Sequence, residues 1–216
     1  MRSTVLVITM LLLPALPARA QFSGPLPVAV FDIRGFYSGL GQDSTTAADL
    51  GVDASALPKR GLGGIAGLNF YLLRGRKVAI GLGAEGILAR GRAQQKDATT
   101  GAPIGSPLTQ HLRGVSGELS LNFGHRDGWS YVVAGMGPLA FSTRLPTIGT
   151  QTPATLPPPT QMTLNMGGGA RWFAKKHLAF GFDFRIYQTR PEVPTIDYAT
   201  RQRTKLTVLS AGIAIK

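Results

Sequence analysis

The chain contains no cysteine. That excludes disulfide frameworks, thiolate nucleophiles, cysteine-ligated metals and a lipidated N-terminal cysteine. Acids are scarce too: 11 Asp and Glu stand against 23 Lys and Arg, a formal charge of +12. Charged residues of both signs make up 16% of the chain, whereas a soluble domain carries about a quarter. A long apolar run is the third absence. Beyond residue 20 no stretch is long enough for a transmembrane helix, although 44% of the residues are hydrophobic. His111, His125 and His177 share no ligand spacing, so neither a metal site nor a cofactor is expected.

The N-terminus carries an address. Arg2 is followed by an apolar run from Val5 to Leu16 and by Ala18-Arg19-Ala20, the pattern of a cleaved signal peptide over residues 1–20. Residues 21–216 then form one exported domain. In that domain, period-two alternation recurs in eight segments of about the length a tilted strand needs to cross a bilayer. They are Val28–Gly39, Gly61–Leu73, Lys77–Gly91, Leu112–Phe123, Trp129–Phe141, Gln161–Phe173, Leu178–Tyr187 and Lys205–Ile215. Short and long connections alternate strictly between them. The short ones are Arg74–Arg76, Gly124–Gly128 and Ala174–His177, and the long ones are Leu40–Arg60, Arg92–His111, Ser142–Thr160 and Gln188–Thr204. This asymmetry predicts an all-β, eight-stranded antiparallel up-and-down transmembrane barrel, with three periplasmic turns and four external loops.

Parity sorts the side chains into two faces. One face is apolar, with Leu62, Leu68, Phe70 and Leu72, then Val78, Ile80, Leu82 and Leu88, then Phe180, Phe182 and Phe184. The other holds Gly61, Gly63, Gly67, Gly81 and Gly83 together with Asp32, Arg34, Glu85, Glu118, Arg171, Asp183 and Arg185. Alternation does not say which face is inside. Volume does, because eight strands leave a lumen just wide enough for side chains, and that space suits glycines and a nearly neutral set of paired charges. Arg171, the only charge on its strand's inward face, is the expected central base, with Glu118 as a partner.

Aromatic residues flank the short turns: Phe70, Tyr71, Phe123, Trp129, Tyr131, Trp172 and Phe173. They predict a girdle at the headgroup level, with a weaker second girdle of Phe36, Tyr37, Phe141 and Tyr187 near the long loops. Arg90, Arg92, Arg113, Arg201 and Arg203 lie near the long-loop ends and are expected to contact anionic headgroups of outer-membrane lipid. Export, and the lack of aromatics interleaved with these bases, disfavour nucleic acid. Gly81 to Gly86 fits G-x-G-x-x-G, but it lies inside a strand pattern and not at a strand-to-helix turn, so it marks strand bending instead of a dinucleotide site.

With this arrangement, residues 21–216 resemble the small outer-membrane barrels typified by the OmpA transmembrane domain and OmpX. The resemblance rests on pattern. It implies a packed polar interior, a structural or adhesive role and insertion by barrel-assembly machinery, although the last strand, ending Ile213-Ala214-Ile215-Lys216, lacks the terminal aromatic common in that group. A non-enzymatic outer-membrane role is therefore expected, with the partner of the long loops unspecified. Two other readings compete. One is a rim-active lipid hydrolase using His111 with Ser106 or Ser116, and the other is a soluble periplasmic ligand-binding barrel with its apolar face inward.

The alternating loop lengths fix an orientation that can be tested. Protease added to intact cells should cut only within the four long connections. Cleavage between Arg74 and Arg76 under those conditions would reverse the orientation.

Overall fold

The structure, a computed structural model, describes residues 25–40, 47–48, 53–75, 77–97, 99–103, 106–144, 160–191 and 204–216. Arg201 and Arg203 lie outside the described residues, as do residues 1–24 and much of three long connections. Eight strands follow in chain order: β1 (Ala29–Gly39), β2 (Arg60–Arg74), β3 (Val78–Ala93), β4 (Leu108–His125), β5 (Gly128–Arg144), β6 (Thr160–Phe173), β7 (Leu178–Thr189) and β8 (Lys205–Ile215). Each pairs antiparallel with its sequence neighbours, and β8 returns to β1 from Phe31↔Ile215 to Gly39↔Thr207, so the sheet is a closed barrel. Closure leaves no unpaired edge.

β4 and β5 run several residues beyond the alternating segments, toward the long loops. There the ladder continues through Arg92↔Thr109 and Thr109↔Arg144. Backbone pairing persists where the apolar alternation has ended, and a hydrophobic pattern carries no signal of it. A bulge at Tyr71/Leu73 inserts one residue, so Leu72 and Leu73 both face outward.

Large apolar side chains are exposed on every strand: Phe31, Leu68, Leu82, Leu119, Val132, Leu164, Phe182 and Leu209, in order from β1 to β8. An apolar surface that continues around a whole barrel has no place in water. The apolar face is therefore outside, and this overturns the soluble-barrel reading. Gly61, Gly67, Gly81 and Gly83 take the inward positions with the charges, and Gly81 to Gly86 lies wholly within β3, with no helix after it.

The interior has three tiers. At the short-turn end Leu26, Val30, Tyr71, Ala79, Trp129, Tyr131, Val133, Ala179 and Ala214 form an apolar floor. At the long-loop end Phe36, Leu40, Ile65, Ile87, Leu112, Leu139, Tyr187, Leu206 and Val208 form a second apolar layer. Above it, a 3-10 turn at Ala54–Ala56 brings Leu57 to pack with Ala47 and Leu108. The seven charged residues lie between the two apolar layers, so among the described residues the buried charge of the lumen is confined to mid-height.

The β3–β4 connection closes on a small turn. The Asp97 carboxylate accepts hydrogen bonds from the Thr100 and Thr99 amides at 2.8 and 2.9 Å and from the Thr100 hydroxyl at 3.0 Å. These bonds hold its pKa below the ordinary value, the Thr100 amide contributing most. Gly101 completes the turn at φ +68°, a conformation side chains resist.

The closing seam is tightest at Gly212. A Cβ there would lie 2.0 Å from the Ile33 carbonyl oxygen and 2.6 Å from the Arg34 Cα, whereas one at Gly35 would meet nothing within 4 Å. Gly212→Ala should therefore cost about 1–3 kcal/mol as overpacking, and Gly35→Ala should be near neutral. Urea unfolding in lipid vesicles measures both.

Candidate functional site

The charged tier is built on a cross-strand rule. Directly opposite every charged side chain stands at least one glycine: Gly67 beside Asp32 and Glu85, Gly212 beside Arg34, Gly83 and Gly135 beside Glu118, Gly181 beside Arg171, Gly169 beside Asp183 and Gly167 beside Arg185. Facing side chains stand about 5 Å apart across a ladder, so an arginine can lie along the wall only where its neighbour has none. Glu118 Cγ and Arg185 Cγ each lie 2.9 Å from the place a Cβ would take on Gly135 and Gly167, and Arg171 Cγ lies 3.4 Å from that place on Gly181, at contact distance.

All seven charged residues are buried and joined in one network. Arg34 bonds Asp32 through Nε at 2.8 Å, pairs with Glu85 through Nη2, and reaches Asp183 Oδ1 with Nη1 at 3.1 Å. Arg185 pairs through Nη1 with Glu118 and with Glu85, the latter at 3.0 Å, and through Nε with Asp183 at 2.9 Å. Arg171 closes the network on Asp32 at 2.5 Å. Four acids and three bases leave one negative charge in excess, and two tyrosines supply extra donors. Tyr131 donates to Asp183 at 2.7 Å and Tyr187 to Glu85 at 2.6 Å. Tyr71 accepts from Arg171 at 3.0 Å, and the Arg171 guanidinium stacks over the Tyr131 ring at 4.6 Å. The network thus ties together seven of the eight strands, from β1 to β7.

Two expectations are corrected here. The central bases are Arg34 and Arg185, with three acids each. Arg171 sits at the lower margin and meets Asp32, not Glu118. An isolated inward charge on its own strand says nothing about which strand supplies the partner, because barrel stagger decides that.

The aromatic girdle divides in two. Phe70, Phe123 and Trp172 face outward, and Trp172 meets Phe182 edge to face at 6.2 Å. Tyr71, Trp129, Tyr131 and Phe173 face the interior. The first three are 2%, 3% and 5% exposed against 54% for Trp172, and Trp129 stacks on Phe173 at 5.2 Å. The reason is parity: consecutive residues alternate between lumen and lipid, so Phe70-Tyr71 and Trp172-Phe173 each send one ring out and one in. Near the long loops only Tyr37 faces out, under Arg60 at 5.8 Å. Phe36 and Tyr187 are in the upper apolar layer, and Phe141 packs against it. The tyrosines were legible as network members only through the parity they share with charges, as Tyr187 does with Asp183 and Arg185.

The floor is closed from below by Lys216. Its Nζ donates to the Arg126 carbonyl at 2.6 Å and lies 3.5 Å from the centre of the Phe173 ring. Partial burial, the largest cause, holds this ammonium below its usual pKa.

Among the described residues, the outer face does not bring His111 to Ser116. Arg90, Arg92, Arg113 and His111 are exposed there. Ser116 faces the opposite way, into the lumen, and accepts a hydrogen bond from Asn165 at 2.9 Å. His111 instead stands opposite Ser142 on β5, a serine outside the sequence reading. No carboxylate shares the outward face of the described strands. His125 ends β4, His177 lies in a turn with Nδ1 2.9 Å from the Lys216 carbonyl oxygen, and among the described residues no group of His, Asp or Glu could hold a metal.

Removing one partner from a buried charge cluster strands the others. Arg34→Met should therefore cost about 3–5 kcal/mol, more than Arg171→Met at the margin. A double-mutant cycle read by urea unfolding in vesicles should couple Arg171→Met with Asp32→Asn strongly and with Glu118→Gln, which it reaches only through other members of the network, much more weakly. Coupling to Glu118 alone would contradict the register.

No family model and no curated protein matches the sequence. Among solved structures, Neisserial surface protein A (NspA) aligns at 9% identity over 88% of this chain and 97% of its own, with a TM-score of 0.53. Ail of Yersinia pestis, solved in complex with the heparin analogue sucrose octasulfate, aligns at 11% identity over 88% of this chain and 99% of its own, with a TM-score of 0.45. The N-terminal β-barrel domain of Pseudomonas aeruginosa OprF aligns at 13% identity over 88% and 98%, with a TM-score of 0.40. At such identities the likeness is one of fold: the chain folds as a small eight-stranded barrel of the outer-membrane type.

Proposed function

We propose that this chain is a non-enzymatic outer-membrane protein whose barrel is a rigid platform for its long loops, in a structural or surface-interacting role. The observation that carries the reading is the inversion of polarity. Large apolar side chains cover the outside of all eight strands while every strand carboxylate is inside, paired with arginine or tyrosine. Such a barrel is at rest only with hydrocarbon around it.

The remaining parts of the proposal rest on the sequence pattern and on its resemblance to small outer-membrane barrels. Residues 1–20 direct export and are cleaved, barrel-assembly machinery inserts residues 21–216, and the rim bases meet anionic headgroups. The two apolar layers and the ion network that fill the described lumen favour a sealed barrel over a transport role. A rim hydrolase is disfavoured because Ser116 faces the lumen, away from His111 on the outer face.

Refolded into vesicles, the chain should migrate differently on gels before and after boiling, and it should resist extraction at high salt. In planar bilayers it should show no large stable conductance. A water-soluble, detergent-independent monomer would end the membrane reading, and porin-like currents would end the sealed-platform reading.

A further inference from the structure

The bases on the barrel's outer face are not spread evenly around it. Along the described strands, β1, β6 and β7 carry none facing outward, since Arg34, Arg171 and Arg185 are all in the lumen. At the long-loop end, β2 to β4 carry four: Arg60, Arg90, Arg92 and Arg113. Register brings three of them together. Arg90 stands opposite His111 and Arg113 opposite Leu88, so the two arginines are diagonal neighbours, about 7–8 Å apart along the backbone and somewhat closer at Cβ. Arg92 lies two residues further along the same face.

None of Arg90, Arg92 and Arg113 forms an ion pair among the described residues, and no acid lies on the described outward face. Three adjacent cations in that setting repel one another unless an anion joins them. Arg90 and Arg113 also line a surface groove of about 590 Å³, together with Leu62, Leu88, His111 and Ser142. Just below it, toward the middle of the barrel, Val115 and Leu119 continue an exposed apolar track. Charge above, hydrogen-bonding side chains beside it and an apolar track below match one kind of molecule.

We infer that this groove is a specific site for a phosphate-bearing glycolipid of the outer leaflet. The paired guanidiniums of Arg90 and Arg113 hold the phosphate, His111 and Ser142 face the sugar, and acyl chains run down Leu62, Leu88 and Val115. Guanidinium and phosphate match in charge and in forked geometry. The site rests on the membrane reading above and narrows it from a general basic rim to one face of the barrel.

The test uses the full chain in phosphatidylcholine nanodiscs doped with lipid A, a diphosphorylated glycolipid, with bound lipid counted by native mass spectrometry. The parent should retain lipid A over its dephosphorylated form. Arg90→Gln with Arg113→Gln should weaken that retention at least about tenfold, as two lost charge-assisted bonds predict. Arg90→Lys with Arg113→Lys should keep part of it, and Arg74→Gln, at the opposite rim, should keep all of it. Equal retention by the double glutamine variant and the Arg74→Gln control would overturn the site, as would equal retention of the dephosphorylated lipid. Binding of inorganic phosphate in lipid-free detergent, with no preference among lipids, would make it a free-anion site and overturn the lipid assignment. Heat-modifiable migration is scored on the same samples. A parent that fails to insert refutes the membrane reading itself, whereas inserted protein without lipid preference refutes only the groove.

Discussion

Eight antiparallel strands enclose a space that holds one layer of side chains at each height, and in this protein the middle layer is charged. Charge cannot stay there unless every acid finds a base or a donor within a few ångströms. The rest of the structure bends to that requirement. Glycines clear the wall opposite each charged side chain, tyrosines make up the donor deficit, and apolar layers above and below keep water from competing for the pairs. Arg34 and Arg185 do most of the joining because their forked donors reach three carboxylates each.

A charged centre also settles a question that apolar packing leaves open. When the surroundings are hydrocarbon, an apolar interior and an apolar exterior are nearly equivalent, and a strand shifted by one residue would lose little. With arginine and aspartate on one face of β1 and β7, a one-residue slip would carry unpaired charges into lipid. The network contributes register and handedness of faces more surely than it contributes net stability, since buried pairs recover only part of their desolvation.

Outside, the strand bases obey the complementary rule. No acid remains on the outward faces of the described strands, so among them the positive charge of the rim at β2 to β4 has no carboxylate beside it and is directed at what surrounds the barrel. Its concentration on β2 to β4 gives an otherwise uniform cylinder a distinct side. The strand ends give the long connections fixed anchor points, and Leu57 packs on Leu108 at one of them.

The strand count, the alternation of tight and long connections and the membership of the charged set could be read from residue order, because each depends on local periodicity and on which residue types share parity. Asp32, Arg34, Glu85, Glu118, Arg171, Asp183 and Arg185 all fall on one face by that count alone. Tertiary structure decided what periodicity cannot carry. It set which face is inside, which acid meets which base, and how aromatic pairs beside a turn divide between floor and lipid. It also set how far β4 and β5 extend past the apolar belt, and which rim bases become neighbours. The physical reason is the same in each case. Alternation is a property of one strand, whereas partners are chosen by the stagger of eight strands around a closed cylinder, and that stagger is written in no single segment of the chain.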